Sequence, residues 1–273
     1  MKNLFTRTIT GSLYVFFLII SLLAGKYTFA IFFFIVMLIA IYEFYNICEI
    51  LNYNPLKIWG YSSAIITYLL SFLISSKVLP EHLFIYIVIL FLLLFFIEMI
   101  FRFNNNNLIV NISLNILSFI YIVLPISLLP SIVFLDNSYS FKNLLFIFIL
   151  IWVNDTMAYL VGISTGGRHK IHKEISPKKS WEGFFGGLLS TLIVSYILIK
   201  LNFVQFRNQF YIPALIVPIA GTTGDFFESL LKRKANIKDS GNILPGHGGV
   251  LDRIDSTLFI IPIIYIWLKF FIK

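Results

Sequence analysis

The feature of this sequence that most limits its fold is a series of long apolar segments that contain no charged residue. Such segments include residues 27–42, 58–76, 103–135 and 183–199. About 20 apolar residues in an α-helix are enough to cross the hydrocarbon core of a bilayer. Only 12% of the residues are charged and 59% are hydrophobic, which is far from the composition of a soluble domain. We therefore interpret the chain as a polytopic membrane protein.

The apolar segments predict an all-α protein with about nine transmembrane helices, if one charged residue is allowed inside a span. The spans are placed near residues 9–24, 27–47, 60–76, 82–101, 110–135, 143–165, 183–200, 210–231 and 255–272. The fifth segment contains Pro125 and Pro130, so one tilted helix and a broken, partly re-entrant helix both remain open. We interpret the first segment as a retained helix, because its surroundings offer a poor signal-peptide cleavage site.

Lysine and arginine residues are distributed unequally between the two sides of these spans. With the N-terminus inside, the inside segments carry 14 of the 21 Lys and Arg residues. The positive-inside rule therefore favours a cytoplasmic N-terminus and an outer C-terminus. Most of this bias lies in two loops, 166–183 and 232–255, which we expect on the cytoplasmic side.

Two acidic residues, Asp155 and Asp225, lie well inside predicted spans. A charge there costs about 2.5–3.5 kcal/mol on insertion scales, so each needs a partner or a function. Asp225, Ser229 and Lys232 share one helix face by their spacing. Both acids lie in the halves of their helices that lead to the basic loops, which predicts a polar pocket at the cytoplasmic side of the C-terminal half. Asp155 could instead cap or pair with Asn154, Thr156 or a neighbouring helix.

The segment LPGHGGVLDRIDS, residues 244–256, combines groups that bind metals with groups that bind phosphates. Asp252 and Asp255 are three residues apart and, with Asp225, would offer carboxylate oxygens to a hard cation such as Mg²⁺. The glycines around His247 would free backbone N–H groups to form an anion-binding nest. Countercharge for several phosphates would come from Lys178, Lys179, Lys232, Arg233, Lys238 and Arg253. The pattern indicates phosphoryl or nucleotidyl transfer on a membrane-borne substrate.

Residues 229–256, SLLKRKANIKDSGNILPGHGGVLDRIDS, closely resemble the signature of the phosphatidate cytidylyltransferases, also called CDP-diacylglycerol synthases. NDTMAYLVG at 154–162, SPKKSWEG at 176–183 and GDFFES at 224–229 are similar to other conserved blocks of that family. The resemblance covers the C-terminal half, whereas the first 140 residues match only as hydrophobic helices, apart from a weak YEFY at 42–45. A signature of this length is far more specific than an isolated Gly-Gly or Asp-x-x-Asp.

The resemblance implies that CTP and phosphatidate are converted into CDP-diacylglycerol and pyrophosphate, with Mg²⁺ as cofactor and a second cation as an open option. It further implies N-terminal transmembrane helices at 1–140 and a catalytic region at 141–273, within one integrated membrane domain. We expect a bacterial inner-membrane enzyme whose active site faces the cytoplasm. Nucleic acid is not expected as a partner, and a homodimer is compatible with the sequence.

The resemblance also assigns roles to individual residues. Asp225, Asp252 and Asp255 are assigned to the metal site and to catalysis. The other catalytic residues are Lys232, Arg233, His247 and Arg253. Substrate binding is assigned to Ser176, Lys178, Lys179, Ser229, Lys238, Asp239, Gly246, Gly248 and Gly249. Asp155 would be a further ligand or an acid that orients one.

Other interpretations of the same pattern remain open. A transporter also places acids in broken helices, but it usually has matching segments in both halves, and eight of the thirteen acids here lie from Asp155 onward. A CTP-dependent lipid kinase would release CDP in place of pyrophosphate. An alcohol phosphatidyltransferase would need an aspartate motif that this chain lacks. Glu43, near the inner end of the second span, is expected to extend its carboxylate towards the membrane surface.

Overall fold

The computed structural model describes residues 2–80, 82–101, 107–135, 137–204, 209 and 211–271, and nearly all secondary structure in this part of the chain is helical. The helices are α1 (Lys2–Leu23), α2 (Lys26–Ile50), α3 (Lys57–Ser75), α4 (His82–Phe101), α5 (Leu108–Ser118), α6 (Leu124–Val133), α7 (Lys142–Ser164), α8 (Trp181–Lys200), α9 (Tyr211–Lys234) and α10 (Leu251–Phe271). Two short antiparallel strands, β1 (Lys170–His172) and β2 (Ser176–Ser180), form a hairpin. The predicted all-α class is confirmed.

Most of these helices are long and apolar enough to cross a bilayer. Within the described residues seven segments meet that condition: α2, α3, Leu108–Val133, α7, α8, α9 and α10. The predicted spans 9–24 and 82–101 correspond to α1, which contains the shorter apolar stretch Thr10–Leu23, and to α4. Every predicted span therefore coincides with a helical segment, and the chain is an integral membrane protein.

The fifth predicted span is one continuous helical segment with a local change of pitch. A π-helical turn, Phe119–Val123, joins α5 to α6. Pro125 follows this turn and Pro130 lies inside α6, and neither residue has an N–H to donate to the preceding turn. Widening the helix is one way in which a membrane helix satisfies the carbonyl groups that proline leaves without a donor. The segment is therefore continuous and is not divided into two helices.

The chain forms two compact units, of which the first comprises residues 1–139 and 234–254. Hydrogen bonds join its helices: the Tyr68 hydroxyl donates to the Ala30 carbonyl at 2.9 Å, and the Tyr45 hydroxyl lies 3.2 Å from that of Ser118. The lipid around a membrane protein is as apolar as its side chains, so close packing and hydrogen bonds hold such helices together. Residues 234–254, which contain most of the second basic loop, belong to this unit.

The second unit comprises residues 140–233 and 255–273. Its helices α7 and α8 approach closely because α8 carries glycines at the interface. A Cβ on Gly183 would lie 2.6 Å from the Ala158 carbonyl oxygen, and one on Gly187 would lie 2.4 Å from Oδ1 of Asn154. Small residues four apart are typical of tightly packed membrane helices. The predicted division into 1–140 and 141–273 stays a prediction.

Candidate functional site

Lys178 and Lys179, which the sequence assigns to substrate binding, lie on β2 of the hairpin, directly before the beginning of α8. Ser180 ends β2 and caps α8, since its hydroxyl accepts the Gly183 N–H at 3.2 Å. Glu182, in the first turn of α8, accepts the backbone N–H of His169 at 3.1 Å and lies 2.7 Å from Nδ1 of the same residue. These contacts fix the hairpin to the N-terminal end of α8.

Asp225 of α9 and Asp255 of α10 are brought together in the second unit. Lys179 forms an ion pair with Asp225, and its ammonium group lies 5.1 Å from the centre of the Phe226 ring. The Ser256 hydroxyl donates to Oδ1 of Asp225 at 2.5 Å, and the Ser256 N–H donates to Oδ1 of Asp255 at 2.8 Å. Ser256 therefore joins two of the three aspartates that the sequence assigns to a metal.

The close approach of Asp225 and Asp255 is sterically possible because residue 224 is a glycine. A Cβ on Gly224 would lie 2.4 Å from the carbonyl oxygen of Asp255, closer than carbon and oxygen atoms approach in proteins. A larger residue at position 224 would push α9 away from α10 at Asp255. The distance between Asp225 and Asp255 therefore depends on a backbone contact as well as on Ser256.

A cavity of about 220 Å³ in the second unit is lined by Asp155, Lys178, Lys179, Thr222 and Asp225, among other residues. The Asn154 amide donates to Oδ1 of Asp155 at 3.2 Å, so Asp155 pairs with its neighbour and also lines this cavity. The structure thus brings together Asp155, Asp225 and two lysines of the first basic loop, Lys178 and Lys179.

The carboxylates of Asp225 and Asp255 have the chemistry that a magnesium ion requires. Mg²⁺ commonly takes one or two carboxylates and completes its octahedron with water and substrate phosphates. In the described part of the chain, no group of three or more His, Cys, Asp or Glu residues is arranged as a metal site. The pair fits an ion that depends on phosphate oxygens for further ligands. Asp252 lies in the first unit, so the three-aspartate site stays a prediction.

Asp252 is held by the loop that precedes α10. Its Oδ2 accepts the Ser240 N–H at 2.9 Å, the Ser240 hydroxyl at 2.9 Å and the Gly249 N–H at 2.7 Å. Gly248 has a φ of 86°, and a Cβ there would lie 2.6 Å from the same oxygen. Gly248 is therefore required both by its left-handed backbone and by the close approach of the Asp252 carboxylate.

His247 also has contacts within the loop and with α1. Its N–H donates to the Leu244 carbonyl at 2.9 Å, and its Nδ1 lies 2.5 Å from the Thr10 hydroxyl. The guanidinium of Arg253 donates to the His247 carbonyl at 2.7 Å. The N–H groups of His247 and Gly249, which the predicted anion nest would use, thus have protein acceptors. Phosphate binding by this loop stays a prediction.

The other predicted residues have the following positions. Lys232 forms an ion pair with Glu228 one turn earlier on α9, with 2.5 Å between Nζ and Oε2. Glu228 is only 2% exposed, and sequence reasoning did not single it out. Its spacing from both Asp225 and Lys232 could have indicated it, since residues three or four apart share a helix face. Among the rest, Lys178, Arg233, Lys238, Asp239 and Gly246 are exposed, whereas Ser176 and Ser229 are half-buried.

The prediction for Glu43 is wrong. Glu43 is only 1% exposed, so its carboxylate is enclosed by protein and does not reach solvent. Its carboxylate accepts the N–H of Val250 at 2.9 Å and the N–H of Leu251 at 2.8 Å, at the beginning of α10. The first N–H groups of a helix lack acceptors within the helix and favour a negative charge, which explains the burial of this acid. A single acid in an otherwise apolar span was the available indication.

Comparison with known proteins agrees with the resemblance of the motifs. The model of the cytidylyltransferase family matches residues 5–271. A phosphatidate cytidylyltransferase of Staphylococcus aureus (strain COL) is 45% identical over 135 residues, which are 48% of this chain and 51% of the relative. A phosphatidate cytidylyltransferase of Staphylococcus haemolyticus (strain JCSC1435) is 45% identical over 128 residues, 46% of this chain and 48% of the relative. The chain spans about half the length of the curated relatives it matches.

Proposed function

Because the chain belongs to the cytidylyltransferase family, we propose that it is an integral-membrane phosphatidate cytidylyltransferase. It transfers the cytidylyl group of CTP to phosphatidate in the membrane, and the products are CDP-diacylglycerol and pyrophosphate. The observation that carries this proposal is the cavity that Asp155, Lys178, Lys179 and Asp225 line in the second unit. The names of the relatives support the choice of substrates.

The proposed reaction needs no nucleophile from the protein. A phosphate oxygen of phosphatidate, ionised near neutral pH, attacks the α-phosphorus of CTP. A new P–O bond forms there while the bond from the α-phosphorus to the oxygen that bridges to the β-phosphorus breaks. Pyrophosphate leaves with that electron pair, roughly in line with the attacking oxygen. The protein must therefore mainly bind, align and neutralise phosphates.

The residues of the second unit can divide these tasks between them. Asp225 and Asp255 would hold Mg²⁺, which when bound neutralises charge on the phosphates and orients them. Lys179 offers its ammonium to a phosphate oxygen, as does Lys178, which also lines the cavity. Asp155, which accepts a hydrogen bond from the Asn154 amide, orients the other charged side chains that line the cavity.

The size of the cavity indicates which part of the substrates it takes. At about 220 Å³ it is smaller than the roughly 300–1,000 Å³ that is usual for sites enclosing a complete small ligand. It therefore has room for phosphate groups.

The signature loop contributes further residues to the proposed mechanism. By the match to the family motif, Asp252 serves the metal as well. The triphosphate and the lipid phosphate are bound by Lys232, Arg233, Lys238, His247 and Arg253. We place the reaction at the cytoplasmic face of a bacterial inner membrane, because the positive-inside rule puts both basic loops on that side.

The direct test uses the purified protein in detergent–lipid micelles with phosphatidate, Mg²⁺ and CTP labelled at the α-phosphorus. The label should pass into the lipid fraction, with release of one pyrophosphate for each lipid labelled. Omission of phosphatidate is the matched control and should prevent both changes. Release of CDP with the label remaining in water would contradict the proposal and favour a lipid kinase. No consumption of CTP with any divalent metal would also overturn it and direct attention to transport.

A further inference from the structure

A buried acid of the N-terminal half holds the loop that carries the family signature. Glu43 lies in α2, almost two hundred residues before the loop, and is 1% exposed. Each of its carboxylate oxygens accepts a backbone N–H from the beginning of α10: Oε1 that of Val250 at 2.9 Å and Oε2 that of Leu251 at 2.8 Å. The acid therefore occupies the position of a capping group, although it comes from another helix.

The same carboxylate reaches Asp252 through one hydroxyl group. The Ser240 hydroxyl lies 3.0 Å from Oε2 of Glu43 and 2.9 Å from Oδ2 of Asp252. It has a single hydrogen and can donate to only one of these oxygens at a time. The Ser240 N–H donates to Asp252 at 2.9 Å, so displacement of Ser240 would remove two donors from Asp252. Glu43, Ser240 and Asp252 thus form a continuous chain of contacts within the first unit.

Two glycines of the loop lie so close to the Glu43 carboxylate that a side chain at either position would displace it. A Cβ on Gly249 would lie 2.4 Å from Oε2 of Glu43, and one on Gly241 would lie 2.5 Å from Oε1. These approaches are closer than real Cβ contacts. The glycines are therefore explained by a carboxylate that the loop surrounds, in addition to any role in binding phosphate.

We propose that Glu43 is a positioning residue for the transfer reaction: it fixes the first turn of α10 and, through Ser240, the orientation of Asp252. The inference rests on the proposed function, since Asp252 is assigned to the metal by that proposal. The carboxylate is required because both of its oxygens accept N–H groups. A glutamine has nearly the same shape, but its NH₂ group would face one of those donors and leave it without an acceptor.

The test compares Glu43→Gln and Glu43→Asp with the wild type and with Glu49→Gln as a matched control. Glu49 is on the same helix, is exposed, and forms only a surface ion pair with Lys57, with 2.6 Å between Nζ and Oε1. Loss of a group that orients a metal ligand typically costs about 10–100-fold in metal affinity or activity. We expect Glu43→Gln to lower kcat and to raise the Mg²⁺ concentration at half-maximal rate by such a factor. Glu43→Asp should recover part of the loss, and Glu49→Gln should match the wild type.

A second measurement does not depend on turnover. Hydrogen–deuterium exchange should increase in Glu43→Gln at the amides of residues 240–252, while peptides from α7 and α8 keep their wild-type protection. An unchanged kcat and Mg²⁺ midpoint would overturn the proposal. So would an increase in exchange throughout the protein with an unchanged Mg²⁺ midpoint, because Glu43 would then only stabilise the fold. If Glu43→Gln does not fold, Glu43→Asp decides by the same two criteria.

The controls separate failure of this inference from failure of the proposed function. If the wild type and Glu49→Gln do not release pyrophosphate, the proposed function is wrong, and the exchange data alone show whether Glu43 fixes the loop. If both controls are active and Glu43→Gln equals them, only the positioning role is wrong.

Discussion

Two acids of each unit accept hydrogen bonds or ion pairs from different kinds of donor. In the first unit, the contacts described above for Glu43 and Asp252 come from backbone N–H groups and one serine hydroxyl. In the second unit, Asp225 pairs with the ammonium of Lys179 and also accepts the Ser256 hydroxyl, and Glu228 pairs with the ammonium of Lys232. Among these contacts, backbone donors predominate in the first unit, whereas lysine ammonium groups are donors in the second unit.

This difference indicates different tasks. A backbone N–H moves only with the loop that carries it, so the donors to Glu43 and Asp252 have fixed positions. A lysine ammonium is a compact charge on a flexible stem and can exchange one anionic partner for another. The pairing of Lys179 with Asp225 can therefore give way when a phosphate and a metal ion arrive together. Glu43 and Asp252 would therefore position the loop, whereas Asp225 and Glu228 would take part in binding the metal ion and the phosphates.

The largest effect is expected from removal of the charge of Asp225. Asp225→Asn keeps the shape of the side chain, but it loses the negative charge that attracts both Lys179 and a metal ion. We expect turnover to fall on the order of 10³-fold, as for the loss of a central electrostatic group. The control is Thr223→Ala on the same helix, because the Thr223 hydroxyl is exposed and donates only to the Ile219 carbonyl of its own helix, at 2.9 Å. Turnover of the Asn variant within tenfold of this control would remove Asp225 from the mechanism.

The next effect tests whether Lys179 is more than a partner for Asp225. If the Lys179 ammonium leaves Asp225 and binds a phosphate of the substrate, Lys179→Met should lower kcat/KM for CTP by roughly 10²-fold. Lys179→Arg should lower kcat/KM less, because it keeps the positive charge. Lys173→Met, at an exposed position in the turn of the same hairpin, serves as the control. If Lys179→Met unfolds at a lower temperature but keeps the wild-type kcat/KM, Lys179 has only a structural role, like the backbone donors of the first unit.

The membrane helices could be predicted from the sequence, whereas the residues that connect distant segments could not. Runs of apolar residues determine where a helix crosses the bilayer, and α4 has the predicted limits of 82–101. Helix α10 begins at Leu251, inside the signature loop and four residues earlier than predicted. Glu43 accepts the N–H groups of Val250 and Leu251 and so stabilises this earlier beginning. That contact joins residues about two hundred positions apart, and no local periodicity encodes it. Charge spacing indicated the cluster around Asp225, but not that Glu228, rather than a substrate, would accept Lys232.

A smaller effect tests the backbone contact that places the paired acids of the second unit. In Gly224→Ala the added methyl would meet the Asp255 carbonyl, and overpacking of this kind typically destabilises a protein by about 1–3 kcal/mol. Thermal unfolding in detergent should therefore occur at a lower temperature. Gly162→Ala is the matched control, since its Cβ would lie 3.5 Å from the Ser180 hydroxyl, an ordinary contact. Equal unfolding temperatures for the two variants would show that α9 and α10 can separate without cost.

The smallest effect on activity is expected in a comparison of one serine from each unit. Ser240→Ala removes the hydroxyl between Glu43 and Asp252, and Ser256→Ala removes the hydroxyl donor of Asp225. A hydrogen bond to a charged group typically contributes about 1.5–3 kcal/mol, so each variant should unfold at a lower temperature. Asp252 keeps the Gly249 N–H and the residue 240 N–H as donors, so Ser240→Ala should change the Mg²⁺ midpoint only a few-fold. In a protein that already carries Glu43→Gln, Ser240→Ala should change the Mg²⁺ midpoint even less, because the effects of substitutions at contacting residues are not additive. Full additivity of the two substitutions would mean that Glu43 does not act through Ser240.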